Sequence, residues 1–275
     1  MTHPAFTKGN VAVITGAALG IGRAAALKFA EMGLKVCLVD LPSKDLEEAT
    51  AAVTANSDNP GSVIAMATDV SDPGAMQELA ANVQNKFGGA DILLNNAASR
   101  AGRGFDADIE DWRQLIEVNL WGVIYGTRAF LPGMRERGTP AVIVNTGSKQ
   151  GITNPPGHTV YNLSKAAVKS YTESLAHELR SSGADHVTAH LLVPGWTTTG
   201  KSEHRPGAWL PDQVIERMVQ GIDKDSFYII CPDDDVTEED DRRRMLWGAG
   251  DMTEDRPALS RWHPEWKDAF ESFTP

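Results

Sequence analysis

The sequence predicts an α/β fold: a doubly wound parallel sheet of about seven strands with helices on both faces, in a single domain with a C-terminal tail. Three observations carry this reading. Short apolar runs alternate with segments of helical period. The runs are nearly continuous in hydrophobicity, as strands buried on both faces are. The first run ends in a glycine-rich turn that leads directly into a helical segment. A chain of 275 residues is long for one small core, yet α/β folds of this size are routinely one domain.

The strand runs are VAVITGA from Val11, KVCLVDL from Lys35, SVIAMATDV from Ser62, DILLNNAA from Asp91, AVIVNTGS from Ala141, VTAHLLVPG from Val187 and FYIIC from Phe227. Between them, residues 23–32, 72–87 and 161–180 place apolar side chains at helical spacing. Right-handed crossovers then put helices on both faces of the sheet. After the last strand, PDDDVTEEDDRRR predicts a helix with carboxylates in its first turn and arginines in its last. Residues 1–231 read as the α/β domain, and 232–275 as the tail.

Apolar residues make up 41% and charged residues 23%, an ordinary soluble composition, and the formal net charge is −11. An acidic surface repels phosphate backbones, which argues against a nucleic-acid partner. No apolar run is long enough to span a bilayer, and the first residues show no signal-peptide pattern, so a cytoplasmic protein is expected. Cys37 and Cys231 lie in apolar strand runs, outside any metal-ligand spacing. They read as buried reduced thiols, and no metal site is expected.

The first strand ends in TGAALGIG, with Gly16, Gly20 and Gly22. Glycines there let the backbone turn tightly and approach a pyrophosphate. The helix starting near Ile21 offers free N–H groups and the positive end of its dipole. Asp40 ends the second strand, where a carboxylate can accept hydrogen bonds from the ribose hydroxyls of an adenosine. It would repel a 2′-phosphate, and no Arg or Lys stands at Ala17, Ala18, Leu41 or Pro42. These residues predict NAD rather than NADP. The competing reading is a tight strand-to-helix turn beside a solvated strand end.

After the glycine turn come ATDV with Asp69, NNAA at residues 95–98, VNLWG with Asn119, NTGSKQG with Ser148, YNLSK with Tyr161 and Lys165, and PGWTTTG at residues 194–200. With these motifs in order, the chain resembles the short-chain dehydrogenase/reductase family (Rossmann-type) from about Lys8 to Cys231. TGAALGIG is similar to the family's TGxxxGxG, which implies cofactor contacts at Gly16, Leu19, Gly20, Ile21 and Gly22. Asp69 and Val70, in ATDV, match the segment that meets the adenine. NNAA at residues 95–98 resembles NNAG, with Asn96 and Ala97 at the cofactor and Ala98 in place of Gly. Asn119 in VNLWG, Ser148 in NTGSKQG, and Tyr161 and Lys165 in YNLSK match the catalytic set. Tyr161 and Lys165 also touch the cofactor in that family. PGWTTTG resembles the segment that holds the carboxamide, which implies Pro194, Gly195, Thr197 and Thr199. The resemblance further implies a homo-oligomer, dimer or tetramer, built partly from the helices at residues 109–131 and 161–180.

The residue chemistry agrees with this. Tyr161 and Lys165 are four apart and share a helix face. A free phenol has a pKa of about 10, and a nearby ammonium lowers it. Tyr161 can then take the hydroxyl proton as hydride leaves for the nicotinamide, and return it in reduction. Ser148 would steady the substrate oxygen. Lys165 would bind the ribose, and Asn119 would hold a water that relays protons. The expected activity is NAD-dependent interconversion of a secondary alcohol and its ketone. A non-catalytic nicotinamide-sensing regulator is the alternative, and sugar-nucleotide dehydration or epimerisation a third class, disfavoured by the short chain after Gly195.

The substrate pocket should lie between the loops at residues 99–104, 149–160 and 197–209, with Arg100, Lys149, Gln150, His158 and Trp196 as candidate contacts. Arg103, Lys201, His204 and Arg205 add to a local excess of basic groups. That excess fits either a substrate with a carboxylate or many hydroxyls, or solvated loops and phosphate contacts. Pro155 and Pro156 should stiffen the loop before Tyr161. The tail holds Trp247, Trp262, Trp266, Phe270 and Phe273, which must dock on something. Two sites are expected: its own core, over the strand from Phe227, or a neighbouring subunit, where Trp262 or Trp266 could complete a lid.

Overall fold

Successive side chains of a strand point to opposite faces, and in β1 (Val11–Thr15) every position is buried. Ala12 and Ile14 enter one apolar cluster, while Val11 and Val13 enter the other. The same division recurs in the neighbouring strands and accounts for the continuous apolar runs. This computed structural model describes residues 2–100, 104–200 and 202–274.

From β1 the chain passes through α1 (Gly20–Glu31) to β2 (Lys35–Asp40), then through α2 (Lys44–Ala55) to β3 (Val63–Ala67). The Ser43 hydroxyl caps α2 by accepting from the Leu46 N–H at 3.2 Å. Next, α3 (Pro73–Phe87) is capped by Asp72, opens with proline and ends at the left-handed Gly88. It returns the chain to β4 (Ile92–Asn95), on the far side of β1. Then α4 (Ile109–Ile116) runs through a π-helical turn (Glu117–Trp121) into α5 (Gly122–Arg137) and β5 (Ala141–Thr146). After the short α6 (Gln150–Thr153), α7 (Thr159–Ser181) leads to β6 (Val187–Val193), and α8 (Pro211–Asp223) leads to β7 (Tyr228–Ile230).

All six strand pairings are parallel, in the order β3-β2-β1-β4-β5-β6-β7. Helices α1, α2 and α8 cover one face, with Phe29, Val53 and Met218 buried there. Helices α3, α5 and α7 cover the other, with Leu79, Met134 and Leu179 buried. Strand order reverses between β1 and β4, which opens a crevice at the strand C-termini. Asn95 and Asn145 join β4 to β5 by a side-chain hydrogen bond of 2.9 Å, and Asn145 donates on to Thr172 of α7 at 3.0 Å. Cys37 and Cys231 are buried free thiols, each pushed up to about 12 by burial.

Two expectations are corrected. β3 alternates between buried and open positions, because it is an edge strand with one neighbour. The helix after the last strand, α9 (Glu238–Thr253), carries Glu238, Glu239, Asp240 and Asp241 in its first turn as predicted. Its arginines 242–244 fall in the next turn instead of the last, because the helix continues through Trp247 to Thr253.

The tail closes with α10 (Lys267–Ser272) and makes a small core of its own. Trp247 is only 3% exposed. The rings of Trp266, Phe270 and Phe273 meet it edge-on at 6.3, 5.4 and 5.3 Å, and the Arg256 guanidinium stacks 3.9 Å from its centroid. Its indole N–H donates to the Ser260 hydroxyl at 2.7 Å. Within the chain, α9 packs on α6 and pairs with α8 through Arg217 and Glu238, while Tyr228 of β7 is about half exposed. No helix among the described residues is long and apolar enough to cross a membrane.

Candidate active site

A cavity of about 1130 Å³ occupies the crevice. That volume suits a dinucleotide together with a small molecule. Gly16, Leu19, Gly20 and Ile21 line it just after β1, Asp40, Asp69 and Val70 on the β2–β3 side, and Asn96, Ala97, Pro194, Gly195, Thr197 and Thr199 on the β4–β6 side. The remaining glycine of the motif, Gly22, works behind the lining. A Cβ on it would lie 2.1 Å from the Gly16 carbonyl oxygen, so only glycine lets α1 pack this close to the turn.

The N-terminus of α1 has no side-chain cap and no acidic residue in its first turn. Its amides therefore face the cavity unpaired by side chains, as an anion site requires. The turn is held from below: the Asn96 amide donates to the Thr15 carbonyl at 3.1 Å, and the Thr15 hydroxyl accepts from the Asn96 and Ala97 N–H groups. Asp40 is oriented by two backbone amides, Ala18 at 2.9 Å and Leu41 at 2.8 Å. Ser43 and Asp45 border the same end. Lys44 is directed to Glu48 at 3.4 Å. Asp69 accepts from the N–H and hydroxyl of Ser71. The cradle thus fits a dinucleotide, with carboxylates at its adenosine end.

Ser148, Tyr161 and Lys165 line the opposite end of the cavity. Ser148 follows β5, and its hydroxyl accepts from the Gln150 N–H at 3.2 Å. One turn of α7 separates Tyr161 from Lys165 and puts the Lys165 ammonium 5.8 Å from the phenol ring centroid. Lys165 is 2% exposed and donates to the Thr146 carbonyl at 2.7 Å. Burial, assisted by the positive charge of Arg100, lowers its pKa to about 8.

Asn119 is fully buried behind these residues rather than in the cavity wall. Its side chain accepts from the Ser99 N–H at 2.7 Å and donates to the Ser99 carbonyl and the Ser164 hydroxyl. Ser164 donates in turn to the Tyr161 carbonyl at 2.8 Å. Asn119 therefore ties the loop after β4 to the helix of Tyr161. It sits at the centre of the π-helical turn, a distortion that recurs at functional sites.

Arg100, Lys149, Gln150, His158 and Trp196 all border the cavity. The Lys149 ammonium lies 3.2 Å from Asp233 and 2.7 Å from Asp241. Burial raises the Asp241 carboxyl above its ordinary range, and the Lys149 ammonium opposes that rise. His204 is exposed, with its ring against the Thr198 hydroxyl, and Arg205 is exposed as well. Arg103 and Lys201 lie outside the described residues. Beyond Thr197 the chain doubles back: Trp209 donates to the Trp196 carbonyl and accepts from Thr198, both at 2.9 Å. Sequence reasoning missed Ser43, Asp45, Gln114 and Val118 of the lining. Ser43 was findable as a helix cap three residues past Asp40. Gln114 and Val118 sit on an amphipathic surface with nothing to mark them.

Residues 10–206 match the family described as short chain dehydrogenase. The chain is 34% identical over 217 residues to 2-(R)-hydroxypropyl-CoM dehydrogenase of Xanthobacter autotrophicus, covering 77% of this chain and 84% of that protein. It is also 34% identical over 203 residues to the NADP-dependent (R)-specific alcohol dehydrogenase of Lentilactobacillus kefiri, covering 73% and 78%. The crystal structure of a short chain dehydrogenase/reductase from Burkholderia phymatum in complex with NAD superposes with a TM-score of 0.82 at 31% identity, covering 91% of this chain and 96% of that one. Fold, cradle and family match agree, and the chain belongs to the short-chain dehydrogenase/reductase family of oxidoreductases.

Proposed function

We propose that this chain is an NAD-dependent oxidoreductase that interconverts a secondary alcohol and its ketone, with Tyr161 as the acid/base. The observation that carries the reading is the Tyr161–Lys165 pair: a phenol in the cavity wall with a buried ammonium 5.8 Å from its ring centroid, in the same cavity as Ser148. A positive charge held there favours the phenolate, which can accept the substrate hydroxyl proton at its oxygen and return it in reduction. Ser148 donates to the substrate oxygen, and Lys165 also holds the ribose hydroxyls. Asn119 positions the helix of Tyr161 through Ser164. The nicotinamide, when bound, supplies the hydride acceptor or donor.

NAD is favoured over NADP by Asp40 and Asp45 at the adenosine end, where a 2′-phosphate would meet carboxylates. Arg100, Gln150, His158 and Trp196 are the proposed substrate contacts, with Gln114 and Val118 completing the wall. The homo-oligomer and the cytoplasmic setting remain part of this proposal. The test is a panel of secondary alcohols and ketones with both cofactors, followed by absorbance of the reduced nicotinamide. Turnover with NAD and at least one alcohol is the expected result. Cofactor binding without turnover on any of the panel would favour the regulator instead.

A further inference from the structure

Lys149, Asp233 and Asp241 form a buried ion cluster beside the catalytic residues, and it joins the segment after β5 to the segment after β7. Lys149 directly follows Ser148. Asp233 follows β7, and Asp241 lies in the first turn of α9. Side-chain exposure is 12% for Lys149 and 3% for each aspartate. One ammonium faces two carboxylates. The Arg244 charge also acts on Asp241, yet Asp233 Oδ1 and Asp241 Oδ1 have no hydrogen-bond partner among the described residues. Desolvating such a group costs more than apolar packing of the same volume would. A cluster like this is a poor device for stability and a good one for fixing geometry.

Its geometry is directed at the nicotinamide end of the cavity. Asp233 Oδ2 accepts from the Trp196 N–H at 2.9 Å and from Lys149 at 3.2 Å. The Lys149 N–H donates to the Pro194 carbonyl at 3.4 Å. Between them lies Gly195, where a Cβ would sit 2.4 Å from Asp233 Oδ2 and 2.8 Å from Lys149 Nζ. The loop at Gly195 and Trp196 is thus pressed against the ion cluster on one side and opens on the cavity on the other.

We propose that Lys149, Asp233 and Asp241 are positioning residues: a clamp through which the C-terminal segment fixes the distance between Ser148 and the Gly195–Thr197 loop, and so sets the nicotinamide half of the cofactor site. This rests on the cofactor reading above. Lys149 acts through Ser148 and Trp196, its charge being engaged by Asp233 and Asp241. The adenosine half, built on Asp40, Ser43 and the α1 turn, is independent of the clamp. Releasing the clamp therefore weakens ligands that carry a nicotinamide and spares those that lack it.

The experiment is calorimetric titration of NADH and of ADP-ribose into the full chain and its Lys149→Met, Lys149→Arg and Asp241→Asn variants, beside steady-state turnover. Lys149→Met is expected to lower NADH affinity about tenfold while leaving ADP-ribose within about twofold, with kcat falling as well. Lys149→Arg should recover most of the NADH affinity. Equal losses for both ligands, or no loss for either, would overturn the clamp. If Lys149→Met does not fold, Asp241→Asn decides by the same ratio. Wild-type protein that binds neither ligand overturns the cofactor reading, and the clamp falls with it. Wild-type binding with unchanged variants overturns the clamp alone.

Discussion

Lys165 reaches from α7 to the end of β5 and donates to the Thr146 carbonyl at 2.7 Å. This bond joins the helix that carries Tyr161 to the strand that leads into Ser148. A buried ammonium is costly unless it is hydrogen-bonded, and Thr146 supplies the bond while leaving the charge near the phenol.

That cost has a measurable sign. The Lys165 pKa falls from 10.5 to about 8 in the folded chain. Between these values the unfolded chain binds the extra proton and the folded chain does not, so stability rises with pH across that window. Below about 8 the full penalty is present. Urea unfolding at pH 7.5 and 9.5, for wild type and Lys165→Met, should show this rise in the wild type and not in the variant. Parallel pH responses would contradict the assignment.

Tyr161→Phe removes only the transferable proton. Turnover should fall by about 10²–10⁴-fold, while NADH affinity stays within about threefold. Initial rates and calorimetry on the same preparation check both parts. Near-normal turnover would refute the role given to Tyr161.

Asp40 predicts at least about a tenfold preference for NAD over NADP in kcat/KM. Replacing Asp40 with Ala and Leu41 with Arg should move the preference towards NADP, because a guanidinium would then stand where the carboxylate repelled the 2′-phosphate. Wild-type protein equally efficient with both cofactors would remove the argument.

Trp247→Ala should destabilise the tail by about 3–5 kcal/mol, the usual cost of emptying a large buried aromatic site. Urea denaturation followed by circular dichroism measures it. A change below about 0.5 kcal/mol would mean that the cluster contributes nothing to folding.

Much of the fold was legible because burial on both faces leaves a strong mark in the sequence. Val11, Val13, Ala12 and Ile14 are all apolar for one reason, a sheet covered on each side. β3 kept the apolar run, VIAMA, although Ala65 and Ala67 are exposed in it, so its open face could not be read from hydrophobicity. The glycine turn, Asp40, Ser148, Tyr161 and Lys165 could be read because their spacing follows local geometry, and the cavity gathers them. Asn119 was found by position, yet its side chain serves Ser99 and Ser164, which no spacing announces. The charge of Lys149 was legible and its partners were not. Asp233 and Asp241 lie 84 and 92 positions away, in a run of acids where nothing distinguishes a buried carboxylate from a solvated one.

The tail has one further consequence. Trp247, Trp266, Phe270, Phe273 and Arg256 all come from within its own short span, and α9 meets the rest of the chain at α6 and through the Arg217–Glu238 ion pair to α8. A segment that packs mainly on itself opens cooperatively, at lower free energy than the central strands. Each such local unfolding carries Asp241 away from Lys149. Where α9 opens in this way one wall of the cavity would loosen with it, and amide exchange along α9 would report how often.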